Sequence, residues 1–226
     1  MNFLILGRGK TGSLVADVAR ERQHHVRVVG AADNTRAAGV APEKIEDVQV
    51  VIDFTTPSAV LGNILACAKA GKNIVVGTTG WHGELARVRG AVEEAGTGLV
   101  YGSNFSVGVN LFFDVARASA AALTHGYNGQ IFERHHAQKK DAPSGTAITL
   151  QKAIEQVSGV ELEITSFREG DVVGMHEVVL DSVGDRIYLC HDAKSRRGFA
   201  EGAVRAAEWL AGRKGVYDFK DIWRQV

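Results

Sequence analysis

Short hydrophobic runs and helical segments alternate along the first hundred residues of the chain. The runs begin near Phe3, Val26, Val48, Ile74 and Gly98, so successive starts are separated by 23, 22, 26 and 24 residues. The runs are apolar at nearly every position, which is typical of parallel strands covered by helices on both faces. This pattern predicts a doubly wound α/β domain built on a parallel sheet. The helices predicted between the strands cover residues 12–22, 58–70 and 83–95.

The pattern changes after Asn104, where a long alanine-rich helical segment precedes several strand-like runs. Gly184 and Asp185 join the last two runs in a predicted hairpin turn. We therefore predict a smaller α+β domain with a mixed sheet over residues 106–196, and a first domain formed by residues 1–105 and 197–226. The helices are predicted over 109–123, from Ser144 or Thr146 to 157, and over 198–212, where the last packs back on the first domain. The strand-like runs cover residues 130–135, 161–168, 171–183 and 186–191.

Composition narrows the classes of partner. Hydrophobic residues make up 45% of the chain and charged residues 23%, as in ordinary globular proteins. Lys plus Arg and Asp plus Glu both number 26, so neither nucleic acid nor an anionic membrane is a predicted partner. No apolar run approaches the roughly 20 residues of a membrane helix, and no signal sequence is recognised, so we expect a cytoplasmic protein. Cys67 and Cys190 form no C-x-x-C motif, so no disulfide framework or thiolate zinc site is predicted.

Residues 7–12 read Gly-Arg-Gly-Lys-Thr-Gly, directly after the first strand and at the head of the first helix. In this context the G-x-G-x-x-G pattern permits a tight turn, and the helix N-terminus binds a pyrophosphate. Asp33 lies 26 residues past Gly7, where a carboxylate can accept hydrogen bonds from the adenosine ribose. A Walker A loop is excluded, because its first glycine would fall on Leu4, inside the strand. We predict dinucleotide binding, with a purely structural glycine turn as the alternative.

The charges near this loop bear on which dinucleotide binds. Asp33 favours NADH because its carboxylate repels a 2′-phosphate, whereas Lys10, Arg8 and Arg36 can neutralise one. We predict that NADH is used and leave NADPH open. Two further turns follow the fourth and fifth strands, at the edge where open α/β sheets bind ligands, and their small residues leave room for a nicotinamide ring. The candidate cofactor-binding residues are Gly7, Arg8, Gly9, Lys10, Thr11, Gly12, Asp33, Gly77, Thr78, Thr79, Gly102, Ser103, Asn104 and Phe105.

Residues 133–147 combine two histidines, two lysines and a predicted helix start. His135 and Lys139 are four residues apart, so they share a face in an extended or a helical segment, and a proton donor and a cation can then meet one ligand. A solvated strand edge is the alternative interpretation of such a His-His pair. No metal is predicted, because no H-x-x-x-H or H-E-x-x-H spacing is present.

The end of this stretch indicates what the ligand carries. Asp141 or Ser144 can cap the helix that starts near Gly145. The amides of Gly145 and Thr146 then point at an anion, because the first N–H groups of a helix have no partner within it. We therefore expect a substrate with carboxylate groups.

Residues 133–147 closely resemble the signature of the dihydrodipicolinate reductases, also called 4-hydroxy-tetrahydrodipicolinate reductases, of lysine and diaminopimelate synthesis. The fifteen-residue block identifies the family, whereas the glycine loop alone does not. Many members have a third histidine where this chain has Gln138, and the segment 34–47 is shorter than in the longer members. The likeness extends to residues 7–12, 51–55, 77–80, 104–108, 168–177, 191–196 and 199–210.

The resemblance implies a Rossmann-like cofactor domain and a domain for substrate binding and oligomerisation. It implies an oxidoreductase that transfers a hydride from NADH, NADPH or both to a cyclic imine dicarboxylate, giving tetrahydrodipicolinate after protonation of the adjacent carbon. His135 takes the role of general acid/base and Lys139 that of proton donor, while His136, Gly145 and Thr146 contact the substrate carboxylates. Members of the family are usually homotetramers assembled through the sheet of the second domain.

Two other functions remain open from the sequence. A different two-domain dehydrogenase acting on amino-acid-like substrates would share the glycine loop but leave the His-His-x-x-Lys block unexplained. A catalytically silent dinucleotide sensor would use the fold to bind NADH and change its assembly. The block over residues 133–147 discriminates, because a sensor has no need for an acid and a cation near the nicotinamide.

Overall fold

The structure, a computed structural model, describes all residues from 1 to 226. The chain forms two compact units, one of residues 1–107 with 197–226 and one of residues 108–196. The strands are β1 (Asn2–Leu6), β2 (His25–Val29), β3 (Val50–Asp53), β4 (Asn73–Val76), β5 (Gly98–Tyr101), β6 (Asn128–His135), β7 (Glu163–Arg168), β8 (Met175–Asp181), β9 (Arg186–Asp192) and β10 (Gly215–Asp218). The α-helices are α1 (Lys10–Glu21), α2 (Pro57–Lys69), α3 (Leu85–Glu94), α4 (Val107–Ser119), α5 (Gly145–Ser158), α6 (Arg197–Leu210) and α7 (Phe219–Ile222).

The first unit is built on a six-stranded parallel sheet in the order β10-β5-β4-β3-β1-β2. Successive residues of a strand face opposite sides, so Phe3 and Ile5 enter one hydrophobic core and Leu4 and Leu6 enter another. Helices α1 and α6 supply the first core, and α2 and α3 supply the second. The predicted doubly wound, Rossmann-like sheet is confirmed.

The second unit has a four-stranded mixed sheet in the order β7-β6-β8-β9. Strands β6 and β7 are parallel, whereas β8 is antiparallel to both β6 and β9. Every second residue of β8 is buried, and helices α4 and α5 cover that face with a core that includes Phe112, Leu150 and Ile154. The predicted smaller α+β unit with a mixed sheet is confirmed.

Three local details go beyond the sequence predictions. The predicted hairpin between β8 and β9 has a four-residue loop, because Asp181 pairs with Arg186 and the Ser182 hydroxyl accepts from the amides of Gly184 and Asp185. Thr56 occupies the N-cap of α2, and its side chain makes no capping hydrogen bond. Strand β10 was not predicted at all.

None of the helices is long and apolar enough to cross a membrane.

Candidate active site

The glycine loop between β1 and α1 is shaped by close backbone contacts. Gly7 has a φ of +109°, and a Cβ there would lie 2.3 Å from the carbonyl oxygen of Phe54. A Cβ on Gly12 would lie 2.2 Å from the Gly7 carbonyl oxygen. Helix α1 begins at Lys10 with Gly9 as N-cap, and no side chain caps its first turn. The N–H groups of that turn are therefore left for a ligand, which suits a pyrophosphate.

A cavity of about 760 Å³ lies beside this loop. Gly7, Arg8 and Gly9 line this cavity, and the 3-10 segment after β2 contributes Arg36 to the lining. The Arg8 guanidinium donates to the Val28 carbonyl at 3.2 Å, so it extends along the end of β2. The cradle of glycines, the uncapped helix terminus and the cationic lining together fit a dinucleotide. The other lining residues include Ala31, Asn34, Thr35, Ala37, Phe54, Thr55, Thr56 and Ser58.

Asp33 does not line the glycine-loop cavity. It lies in the 3-10 segment Ala32–Val40 and lines a neighbouring cavity of about 720 Å³ together with Arg27, Glu43 and Lys44. The segment contains Arg36 and Ala37 at positive φ, and Arg36, but not Asp33, lines the cavity beside the glycine loop. The predicted contact of Asp33 with the ribose therefore has no support from the cavity lining.

A buried polar network fixes that irregular segment. Asp53, at the end of β3, is fully buried and accepts from Asn63 at 2.7 Å. Asn34 donates to Asn63 at 2.9 Å and accepts from the Gly39 amide at 3.0 Å. Thr78 donates its hydroxyl to Asp53 at 2.8 Å. The network joins the end of β3, helix α2 and the segment after β2 into one wall of the cavity.

The other predicted cofactor residues lie at the carboxyl edge of the sheet, as their positions after β4 and β5 require. Thr79 and Ser103 are exposed there, but the hydroxyl of Thr78 is already bonded to Asp53. Phe105 is a core residue, 2% exposed and 4.7 Å from Phe219 between ring centroids. Its side chain supports the turn from within the core, so only its backbone remains a candidate for ligand contact. A Cβ at Gly77 would overlap the Phe54 ring at 2.2 Å.

In the second unit, β6 carries Glu133 and His135 on the same face because they are two residues apart. Both are buried, with Glu133 fully inaccessible and His135 8% exposed. The two side chains meet where His135 Nδ1 lies 3.0 Å from Glu133 Oε2. The strand register adds two further groups, since His135 pairs with Arg168 on β7 and Glu133 pairs with His176 on β8.

Glu133 is held as a carboxylate by its neighbours. Its Oε1 accepts from the Ser166 hydroxyl and the Arg168 guanidinium, each at 2.7 Å, and from the Ser144 amide at 3.1 Å. Burial raises the pKa of Glu133, but the hydrogen bonds from Ser144, Ser166 and Arg168 outweigh it and lower that pKa to about 2. Glu133 is therefore negatively charged at neutral pH.

The two neighbouring histidines favour the neutral form. Burial lowers the pKa of His135, Lys139 and Arg168 lower it further, and Glu133 opposes them. Burial also lowers the pKa of His176, to about 4, with a further contribution from His135. The two rings make an edge-on contact with centroids 5.2 Å apart. Both imidazoles are therefore harder to protonate than an exposed histidine.

The loop after β6 carries the predicted cation and the helix start. Lys139 Nζ lies 2.8 Å from both carboxylate oxygens of Asp141. Ser144 is the N-cap of α5 and accepts from the Ala147 amide at 3.2 Å, so Ser144 rather than Asp141 caps this helix. Gly145 and Thr146 form the first turn of α5, where the amides have no partner within the helix.

One group of side chains in this unit has the composition of a metal site. Ligand atoms of Glu133, His135 and His176 lie within 4.8 Å of one another. The guanidinium of Arg168 already neutralises the carboxylate at 2.7 Å, and His176 Nε2 lies 3.2 Å from the Ser144 hydroxyl. A cation would have to displace or adjoin these groups, so the arrangement is better described as a hydrogen-bonded network around Glu133.

Sequence reasoning missed the partners of His135. Arg168, His176 and Ser166 are far from Glu133 and His135 in the sequence and reach this pair through the pairing of three strands. Glu133 was part of the fifteen-residue stretch but received no role. Its two-residue spacing from His135 on a predicted strand was the available signal, because such residues share a face.

Sequence profiles of one known family match almost the whole chain. The profile described as "Dihydrodipicolinate reductase, N-terminus" matches residues 1–105, and that described as "Dihydrodipicolinate reductase, C-terminus" matches residues 108–223. A 4-hydroxy-tetrahydrodipicolinate reductase of Christiangramia forsetii is 37% identical over 238 residues, which cover 98% of this chain and 97% of the relative. A protein of the same name from Thiobacillus denitrificans is 39% identical over 214 residues, covering 85% of this chain and 80% of the relative.

Solved structures share the architecture. A dipicolinate-bound dihydrodipicolinate reductase from Paenisporosarcina sp. TG-14 superposes with a TM-score of 0.80 at 22% identity, covering 98% of this chain and 99% of that one. An amine dehydrogenase from Mycobacterium smegmatis superposes with a TM-score of 0.64 at 10% identity, covering 98% and 95%. Likenesses at these identities establish the fold alone.

Proposed function

The chain belongs to the dihydrodipicolinate reductase family, and from that membership we propose which of its residues carry out the reaction. The activity is the NAD(P)H-dependent reduction of the cyclic imine dicarboxylate of lysine and diaminopimelate synthesis to tetrahydrodipicolinate. A bound dihydronicotinamide supplies the hydride. The chain itself binds and orients the ligands and supplies a proton.

In the proposed cofactor site, the N–H groups at the start of α1 bind the pyrophosphate, and Gly7 and Gly12 keep the loop narrow enough for that approach. Arg8 and Arg36 line the adjoining cavity and can bind a 2′-phosphate. Asp33 lines the neighbouring cavity. These positions favour the use of NADPH alongside the predicted NADH.

In the proposed substrate site, the helix N-terminus and the cationic side chains of the second unit bind the carboxylates of the substrate. The amides of Gly145 and Thr146 at the start of α5 bind one carboxylate, and His136 is a further proposed contact to the substrate. Lys139 is exposed enough to exchange its Asp141 partner for a substrate group. His135 is the acid that delivers a proton to the ring carbon next to the site of hydride addition, where negative charge develops.

One observation carries these assignments. A histidine, a lysine and the N-terminus of α5 occur together in one unit, and the histidine is 8% exposed against a carboxylate that is fully buried. A solvated strand edge, the alternative considered for the His-His pair, would leave His135 in water. A nucleotide-binding sensor would have no use for an acid held in this way.

A coupled assay tests the assignments. The condensation product of pyruvate and aspartate semialdehyde is supplied, and oxidation of NADH or NADPH is followed at 340 nm. His135→Gln should lower kcat by about 10²-fold or more with little change in cofactor binding. His125→Gln, at an exposed histidine of the same unit, is the matched control and should leave kcat unchanged. A near-normal kcat for His135→Gln would remove that residue from the chemistry.

The cofactor preference has its own test. Arg36→Ala should raise the KM for NADPH by about tenfold or more, because a charge-assisted hydrogen bond to a phosphate contributes about 1.5–3 kcal/mol. The KM for NADH should hardly change, since NADH has no 2′-phosphate. Equal changes in both KM values would show that Arg36 does not select between the two dinucleotides.

We also propose that the chain assembles as a homotetramer through the open face of the second sheet. Phe167 and Tyr188 are 37% and 64% exposed on this face, and both line its shallow cavity of about 530 Å³. Aromatic groups exposed together favour association. Light scattering should give four times the chain mass of 24.2 kDa, and Tyr188→Asp should lower that mass. A wild-type protein with the light-scattering mass of one chain would contradict the tetramer.

A further inference from the structure

We infer that Glu133 is a positioning residue for His135, whose carboxylate holds the imidazole by Nδ1 and presents the opposite nitrogen, Nε2, for proton transfer. The inference rests on the proposed role of His135 as the acid. It gives a function to the buried charge of Glu133, which the acid role of His135 does not by itself explain. A carboxylate that orients a catalytic imidazole is a general device for fixing its tautomer.

The first support is the contact itself. His135 Nδ1 and Glu133 Oε2 lie 3.0 Å apart as an ion-pair contact, and neither atom makes a hydrogen bond. Buried polar atoms without partners are costly, so a proton on Nδ1 is stabilised by the carboxylate that lies at this distance. The other nitrogen of the ring, Nε2, faces Gly174, where a Cβ would lie 3.0 Å from it. The absence of a side chain at Gly174 avoids that overlap with the ring.

The second support is that Glu133 cannot turn away. Its Oε1 is held by three donors, from Ser144, Ser166 and Arg168, at 2.7 to 3.1 Å. Three bonds to one oxygen fix the plane of the carboxylate and leave Oε2 directed at His135. The carboxylate is therefore a rigid reference point for the ring rather than a mobile counter-ion.

The third support is the balance of charge around the ring. The titratable and charged groups that face His135 are Glu133 on its own strand, Lys139 and Asp141 on the following loop, Arg168 on β7 and His176 on β8. Burial, Lys139 and Arg168 all disfavour a protonated imidazole. Glu133 is the nearest anion that favours it, because the contact distance is 3.0 Å.

The same carboxylate is tied to the loop that carries the second proposed donor. Arg168 donates to Glu133 and also to the backbone carbonyl of Asp141, the latter at 2.6 Å. Asp141 in turn holds Lys139. One guanidinium thus sets the distance between the carboxylate that positions His135 and the loop that positions Lys139.

The experiment is the pH profile of kcat for Glu133→Gln. The side chain keeps its size, and the amide oxygen can still accept from Ser166 and Arg168, but the negative charge beside His135 is lost. The pKa of His135 should then fall, so the decline of kcat on the basic side moves to lower pH by about one unit or more, as for a charge partner at this distance. At pH 8, kcat should fall by about tenfold or more while the KM for NADH hardly changes.

Three controls separate positioning from folding. Glu155→Gln removes the same charge at an exposed position of α5 without an ion pair, and its profile should match the wild type. Glu133→Asp keeps the charge but draws it back, so kcat should fall while the basic limb stays close to its wild-type pH. The 15N shifts of the His135 imidazole should report Nδ1–H in the neutral wild type and a changed tautomer in Glu133→Gln.

The outcomes are distinct. A wild-type chain that does not reduce the substrate would defeat the proposed function, whatever Glu133 does. An active wild type whose Glu133→Gln variant melts normally and keeps the same pH profile and the same 15N shifts would overturn the positioning role. If Glu133→Gln melts at a lower temperature, the profile of Glu133→Asp and the 15N shifts still decide, because a purely structural role would move neither.

Discussion

Adding one methyl group at Gly9 tests whether the glycine loop holds a pyrophosphate. A Cβ there would have no atom within 4 Å, and the residue has φ −73° and ψ 179°, so Gly9→Ala fits the folded loop. The methyl group would nevertheless stand on the cavity wall at the N-terminus of α1, where amides must approach the phosphates. Losing one hydrogen bond to a charged group costs about 1.5–3 kcal/mol, which raises Kd by about 10- to 100-fold.

The assay is calorimetric titration of the chain with NADH, together with thermal melting of the ligand-free chain. Gly9→Ala should weaken binding without lowering Tm. Gly90→Ala adds the same methyl group to open space on α3 and should stabilise the chain by about 1 kcal/mol with an unchanged Kd. Gly12→Ala, with its Cβ 2.2 Å from the Gly7 carbonyl oxygen, should lose both stability and binding. A wild-type Kd for Gly9→Ala would refute the placement of the pyrophosphate at this helix terminus.

Three further predictions concern stability. Asn34→Ala leaves two buried partners without their hydrogen bonds and should cost about 1–3 kcal/mol in urea unfolding; an unchanged midpoint would contradict the network. The pKa of Glu133 is about 2 in the native state and near 4.5 ordinarily, so the native state binds fewer protons and its stability falls as pH drops from about 5 toward 2. Glu133→Gln should show a shallower loss over that range, and parallel curves would exclude the linkage. Gly202→Ala places a Cβ 1.7 Å from the Phe105 carbonyl oxygen and should sharply reduce soluble yield, unlike Gly90→Ala.

The sequence predicted the strands and helices well where hydrophobic periodicity agreed with the positions of helix-capping and turn residues. Five strand starts and the intervening helices of the first unit were placed within a few residues, because continuous apolar runs and helical stretches differ clearly in pattern. Strand β10 escaped prediction because its four half-buried residues lie at the sheet edge and show no long apolar run. The path of residues 32–44 also escaped, since it depends on the buried Asn34 and Asp53 rather than on local propensity.

Only part of the candidate site could be predicted from the sequence. His135, Lys139 and the start of α5 could be grouped from the sequence, because they lie within eleven residues of one another. Arg168 and His176 could not, because their approach to Glu133 depends on strand register across the sheet. Register is set by packing between distant segments, so a single sequence gives little information about it.

The strands of the first sheet come from two separate parts of the chain, and this affects how the protein folds during synthesis. Strand β10 and helix α6 come from residues 197–218, whereas the other five strands come from residues 2–101. Helix α6 supplies Ala203, Val204 and Leu210 to one core of that sheet. During synthesis, the ribosome therefore releases the whole second unit before the first can close its apolar face. A nascent chain halted near residue 196 would carry a complete second unit and an incomplete first unit. The apolar face of its first sheet would stay uncovered, which is the kind of surface that chaperones bind.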